Sequence, residues 1–174
     1  MNGHQMLVAL KDQPQLLKLV AGIWCAEALQ LEDLRPPFFP CVYVVNILPR
    51  HSQSKMGHWT IFHFKSQHQG EFFCSGGIAP TAYHNHFERF LLRHSETYQY
   101  NEKALQHPSS LLCGQYCLMY LYHIAKGYSL KEFVRKCFVM DKAVNDKVAD
   151  KFCPAHFPSL TIQIMKTGNV CRKM

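Results

Sequence analysis

No run of apolar residues in this 174-residue chain is long enough to cross a bilayer. The opening stretch, MNGHQMLVALKDQPQ, lacks the basic start, long apolar core and small-residue cleavage site of a secretory signal. These two absences predict a soluble protein made in the cytosol and not attached to a membrane. There is no internal repeat, low-complexity tract or long linker, so a single domain over residues 1–157 is expected. Residues 158–174 form a tail with no firm signal. Charged residues are scarce, at 18% against 48% hydrophobic, which excludes a disordered chain.

Cysteine, by contrast, is plentiful. The eight cysteines show no secreted disulfide framework, and without an export signal they are expected to be reduced thiols of a cytosolic or nuclear protein. Together with eleven histidines they raise the question of a metal. Cys113 and Cys117 belong to one helical turn, and no second ligand pair stands at zinc-finger spacing. His84 and His86, two apart on a helix, should point in different directions, so no metal is expected. The formal net charge of +7 permits DNA as a partner without demanding it. The basic residues are spread out, and the densest segment, Lys126 to Lys151, also carries Glu132, Asp141, Asp146 and Asp150.

Periodicity predicts the order of elements. Gln15 to Ala28 reads as a helix with Leu16, Leu17, Val20 and Ile23 on its buried stripe. Pro36, Pro37 and Pro40 punctuate a turn. The β-branched run Val42 to Ile47 reads as a buried strand, His58 to Phe64 as a second and Glu71 to Cys74 as a third, with Lys65–Gly70 as the hairpin between the last two. Ser75-Gly76-Gly77 is a turn. Thr81 to His94 carries Tyr83, Phe87, Phe90 and Leu91 at helical spacing, and Tyr98 to Asn101 reads as a short strand. Leu112 to Lys126, apolar on nearly every side, should be a central buried helix stopped by Gly127. Ser129 and Glu132 form a capping box for the next helix, and Asp141 caps another that ends before Pro154. The layout is α+β.

One place in this layout suits thiol chemistry. Cutting an amide with sulfur needs an ionisable thiol, a base beside it and donors for the oxyanion. Cys113 falls in the first turn of the central helix, where unpaired N–H groups and the helix dipole favour a thiolate. Gly114 has no side chain to block an approach, and its N–H is an oxyanion donor candidate. His58 begins a strand beside a glycine, where an imidazole can face a cleft. His63, five residues on, should face the other side. Gln106 can aim its amide at the same oxyanion. A cysteine in an apolar helix is also an ordinary core residue, and spacing alone leaves both readings open.

The motifs GHWTIFHF (Gly57–Phe64), FFCSGGIAP (Phe72–Pro80) and YNEKALQHPSSLLCGQYCLMYL (Tyr100–Leu121) occur in the order seen in the adenovirus-type cysteine proteases. A VVN strand, a His-Trp pair, a Y-x-Y-N segment and a Q-x6-CG-x-[YF]-C signature come together. The chain thus resembles the adenain family over about residues 18 to 153, most closely the proteases of Maverick/Polinton elements and adenovirus-like viruses. That family shares a clan with the SUMO and ubiquitin-like-protein proteases. The resemblance implies a papain-like core in circularly permuted order, His before Cys, with the central helix on a mostly antiparallel sheet. It implies His58 as general base, Cys113 as nucleophile, Gln106 as side-chain oxyanion donor and Trp59 as roof of a channel for small residues. Cys117 fits the motif but reads as packing. It further implies a monomeric endopeptidase cutting Gly-Gly or Gly-X sites in viral or mobile-element precursors, in the cytosol or nucleus of a host cell or inside a virion. No cofactor is required, though DNA or an activating peptide is a candidate stimulator.

The chain departs from the family where an acid normally precedes the S-x-G turn: that position is Cys74. Glu71 should face away, about 10 Å along the strand, and is a poor substitute. The departure keeps two alternatives open, an isopeptidase acting on ubiquitin or SUMO conjugates and a weakened pseudoprotease that binds ubiquitin-like tails or DNA.

Overall fold

Alternation along three central strands decides the architecture. In the computed structural model, which describes residues 1–31, 34–49, 51–52 and 57–160, β2 (Cys41–Asn46), β3 (Trp59–Phe64) and β4 (Gln69–Phe73) pair antiparallel. Val42, Val44, Trp59, Ile61 and Phe73 enter one buried cluster, while Tyr43, Val45, Phe62, Phe64 and Phe72 enter a second on the opposite face. A sheet apolar on both faces must be covered on both. Two edge strands extend it in parallel, β1 (Val20–Cys25) beside β2 and β5 (Thr97–Tyr100) beside β4, giving the order β1-β2-β3-β4-β5. The fold is α+β, antiparallel at the centre of its sheet.

Helix α3 (Asn85–His94) closes one face with Phe87 and Phe90, whose rings meet Phe62 edge-on at 5.1 and 5.8 Å. The other face is covered by α1 (Gly3–Lys11), α4 (Cys113–Ile124), α5 (Leu130–Cys137) and α6 (Lys142–His156), which contribute to the first cluster. Helix α4 lies against β3, and its Tyr120 ring stacks on Phe73 at 4.6 Å. Gly127, with φ +85°, ends the chain's run beyond α4, and the capping boxes at Ser129–Glu132 and the cap at Asp141 form as expected.

Three expectations need correction. Gln15 to Ala28 is not one helix. Its start is the short α2 (Pro14–Leu17), and the stripe assigned to Val20 and Ile23 belongs to β1, where Ile23 pairs with Val44. The segment VAGIWC carries β-branched and aromatic residues that favour a strand, and β2 offers it a parallel partner to pair with. Leu17 is exposed rather than buried. Secondly, α6 runs through Pro154 to His156. Proline removes one N–H, but the carbonyl it leaves belongs to Asp150, an exposed residue that water can reach, while Cys153 and Phe157 remain anchored in the core. Thirdly, the His84 and His86 rings stack at 5.0 Å instead of diverging, because His84 is the N-cap residue and lies outside the helical turn. Residues 161–174 of the tail lie outside the described residues.

Candidate active site

The buried helix α4 begins abruptly. Cys113 is its first residue, and Leu112 before it supplies no side-chain cap. The first intrahelical acceptor, Leu112 O, is taken by Tyr116 N. The N–H groups of Cys113, Gly114 and Gln115 therefore have no partner within the helix. Cys113 is 7% exposed and lines a groove of about 500 Å3. His58, Trp59, Gln106 and Asn46 line that same groove. Four of the residues singled out by sequence, from three separate segments, are thus brought together.

A second groove, of about 520 Å3, lies beyond His58 and is lined by Tyr83, Gly76, Ile78 and Lys142. His58, Gln106 and Ser110 border both grooves. An extended chain crossing from one groove to the other would pass the imidazole.

Each side chain is held by local structure. His58 precedes β3, with its carbonyl bonded to Ile47 N at 3.0 Å. Its Nε2 lies 3.3 Å from Cys74 Sγ, so a thiol is the hydrogen-bonding side chain behind the imidazole. Cys74 in turn is clamped by Asn101, whose Oδ1 accepts from Cys74 N at 2.9 Å and whose Nδ2 donates to Cys74 O at 2.6 Å. Gln106 is anchored to the same turn: Leu105 N and Gln106 N both donate to Ser75 O, and Ser75 Oγ donates to Gln106 Oε1 at 2.6 Å. That bond points the Gln106 amide nitrogen towards Ser110 O, 2.7 Å away at the groove.

Trp59 is almost fully buried in the core cluster, and its indole N–H donates to the carbonyl of Met1 at 2.9 Å. The side chain of Met1 covers Gly114, where a Cβ would fall 2.8 Å from the Met1 sulfur. Cys117, a turn below Cys113, is wholly buried, and burial pushes its thiol well above its usual range. It belongs to the packing.

The electrostatics follow from burial. Loss of solvent lowers His58 to about 4, so its ring is neutral at physiological pH. Burial also raises the Cys74 thiol, although Tyr83 and the backbone N–H groups of Gly76, Gly77 and Ile78 pull it the other way. Among the described residues no carboxylate is hydrogen-bonded to the imidazole. Glu71 faces the α4 side of the sheet, where it bonds His63 at 2.9 Å, Lys65 at 3.1 Å and Tyr120 at 2.6 Å. Among the described residues no hydrogen bond joins His58 to Cys113: the two side chains share the groove but are not bonded at rest. Catalytic pairs commonly tighten only around a bound substrate.

No protein family profile and no curated protein sequence matches the chain. Among solved structures, it is similar to the crystal structure of ASFV pS273R protease, at 14% identity and a TM-score of 0.48, over 81% of this chain and 60% of that one. The selenomethionine form of the same protease aligns at 20% identity and a TM-score of 0.39, over 68% of this chain and 44% of that one. The chain therefore spans less than two thirds of that protein's length.

Several residues of the site escaped the sequence reading. Tyr83, whose hydroxyl lies 3.0 Å from Cys74 Sγ, has helical spacing to Phe87 but follows the short 3-10 turn Pro80–Ala82, and the helix starts only at Asn85. Ser75 and Asn101 act through the turn they brace. Helix α1 has a signal in the sequence, the spacing of Asn2 and Gln5, which form a capping box. Among the described residues no three His, Cys, Asp or Glu side chains gather in a way that could hold a metal ion.

Proposed function

We propose that this chain is a cysteine endopeptidase with Cys113 as nucleophile and His58 as general base. The observation that carries the reading is the shared groove. It joins a thiol at an uncapped helix N-terminus, an imidazole held from behind at Nε2 and a glutamine amide fixed by Ser75. The motif resemblance adds to this and assigns the same residues.

The chemistry follows from these atoms. His58 Nδ1 takes the Cys113 proton as the sulfur attacks the carbonyl carbon of the scissile amide. Negative charge collects on the carbonyl oxygen, which accepts from N–H groups at the start of α4 and from Gln106 Nε2. The C–N bond then breaks, and the proton passes from His58 to the leaving amine. Water, deprotonated by His58, attacks the resulting thioester and releases the acid and the free thiol.

Small residues are favoured at the cut. Trp59 walls the groove, and the Met1 side chain fills the space above Gly114. A strand with little or no side chain can still reach the sulfur, which suits Gly-Gly and Gly-X sites. Precursor proteins of a virus or mobile element in a host cell are the corresponding substrates, with DNA or a peptide as a candidate stimulator of a single-chain enzyme.

One observation favours a second reading. With a neutral imidazole and a thiol in place of the acid, the site could hold a glycine-ended tail without cutting it. Incubation with Gly-Gly peptides and a glycine-ended electrophilic probe separates the two. The protease reading expects cleavage and a probe adduct at Cys113, both lost in Cys113→Ala. Tight binding of the glycine-ended tail with neither cleavage nor adduct would establish the binding module instead.

A further inference from the structure

The hydroxyl of Tyr83 has no part in the steps above, yet among the described residues it stands next to the imidazole's one side-chain hydrogen-bond partner. Its oxygen is 3.0 Å from Cys74 Sγ, which is 3.3 Å from His58 Nε2. Its ring lies within 18° of parallel to the His58 ring, at 6.0 Å between centroids, and packs on Phe72 and Phe87. It also lines the second groove.

We propose that Tyr83 is a positioning residue which, through Cys74, sets the tautomer of His58. The inference rests on the protease reading for its purpose and on the geometry alone for its substance. To take the Cys113 proton, His58 must leave Nδ1 bare and carry its hydrogen on Nε2. A carboxylate at position 74 would enforce this, because an ionised acid only accepts. A thiol does not, because it carries a proton of its own. If that S–H pointed at Nε2, it would fix the opposite tautomer and disable the base.

Tyr83 resolves the conflict. With its oxygen beside the sulfur, it accepts the Cys74 S–H, and the sulfur lone pairs remain for the His58 Nε2–H. The tyrosine's own proton is then free to turn into the second groove, which Tyr83 lines. The chain therefore runs from His58 Nε2–H to Cys74 Sγ, and from Cys74 S–H to Tyr83 Oη. The tyrosine ring, wedged between His58 and the phenylalanines of the α3 face, also restricts the tilt of the imidazole.

Tyr83→Phe removes the oxygen and keeps the ring. Long-range 15N–1H spectra of the imidazole at pH 7.5 read the tautomer directly, and the rate of Cys113 alkylation reads its consequence. The wild type should show His58 as the Nε2–H form. In Tyr83→Phe that form should lose its dominance, and alkylation should slow about threefold to tenfold, the worth of one neutral hydrogen bond. Cys74→Asp added to Tyr83→Phe should restore the Nε2–H form, which a merely structural role for the tyrosine would not allow. An unchanged tautomer in Tyr83→Phe, or no restoration by the aspartate, would overturn the inference. A wild type with the expected tautomer but an inert Cys113 would instead overturn the protease reading and leave the positioning role standing.

Discussion

Replacing Cys74 with aspartate should increase the reactivity of Cys113, and the size of the gain can be worked out. Burial holds His58 at about 4 against an ordinary 6.5. That difference disfavours the imidazolium by roughly 3 kcal/mol, at about 1.4 kcal/mol per pH unit. An opposite charge in contact with the ring raises its pKa by about 1 to 3 units. The thiolate–imidazolium pair depends directly on that pKa, so its population should rise about tenfold to a thousandfold.

The new carboxylate must itself ionise in a buried place. The N–H groups of Gly76, Gly77 and Ile78 already face the sulfur, and the Tyr83 hydroxyl, 3.0 Å from it, can turn its proton to a carboxylate there. A carboxylate accepting two or three backbone N–H bonds is held well below its usual range, so the donors outweigh the loss of solvent. Two assays read the result: the pH dependence of iodoacetamide labelling at Cys113 and the turnover of a Gly-Gly peptide. The expected outcome is faster labelling, with its acid limb moved up by at least one pH unit, and faster turnover. Labelling and turnover both unchanged, in a variant that folds, would refute the reasoning.

Further predictions concern stability and access. The unfolded chain takes up the His58 proton near pH 6.5 and the folded one not until about 4, so stability should fall as pH drops across that window. The loss is roughly 3 kcal/mol, and urea titrations of His58→Gln should show a flatter profile between those limits; an identical profile would contradict the burial account. Glu71 is held at about 2: burial raises it, but its bonds to His63 and Tyr120 and the charges of His63 and Lys65 together outweigh burial. Its contribution is complete above about pH 4.5 and is lost as pH falls towards 2. Glu71→Ala should cost about 3 to 5 kcal/mol in chemical denaturation at neutral pH, because it strands a buried polar network, whereas a cost below about 1 kcal/mol would mark the network as peripheral. Gly114→Ala places a Cβ against the Met1 side chain. It should slow peptide turnover and Cys113 labelling more than it lowers the melting temperature, and unchanged labelling would show that Met1 does not guard the sulfur.

The sequence made the central strands legible because both sheet faces are buried: VYVVNI and HWTIFHF are apolar at nearly every position. The site residues were legible through their motifs, and Cys113 also through its place at the mouth of an apolar helix. The edge strand β1 was not, since Leu16, Leu17, Val20 and Ile23 satisfy a helical spacing as well as VAGIWC satisfies a strand. Only its parallel partner β2 decides between them. Tyr83 was hidden for a related reason. Its spacing to Phe87 places it on a helix, and only the turn at Pro80–Ala82 rotates its hydroxyl to Cys74. The departure at Cys74 was visible as a missing acid, but the donors that surround its sulfur arise from the backbone of the following turn, which no side-chain pattern encodes.

The central claim is that Cys113 is activated by His58. Among the described residues, Cys25 and Cys137 are partly exposed, whereas Cys113 is only 7% exposed, so accessibility alone ranks Cys113 behind both. Site-resolved alkylation rates at neutral pH, measured by mass spectrometry in the wild type and in His58→Ala, test the claim most directly. The account predicts that Cys113 reacts faster than Cys25 and Cys137, and that it loses this lead in His58→Ala. A Cys113 that reacts no faster than those two, or that keeps its rate without His58, would contradict it.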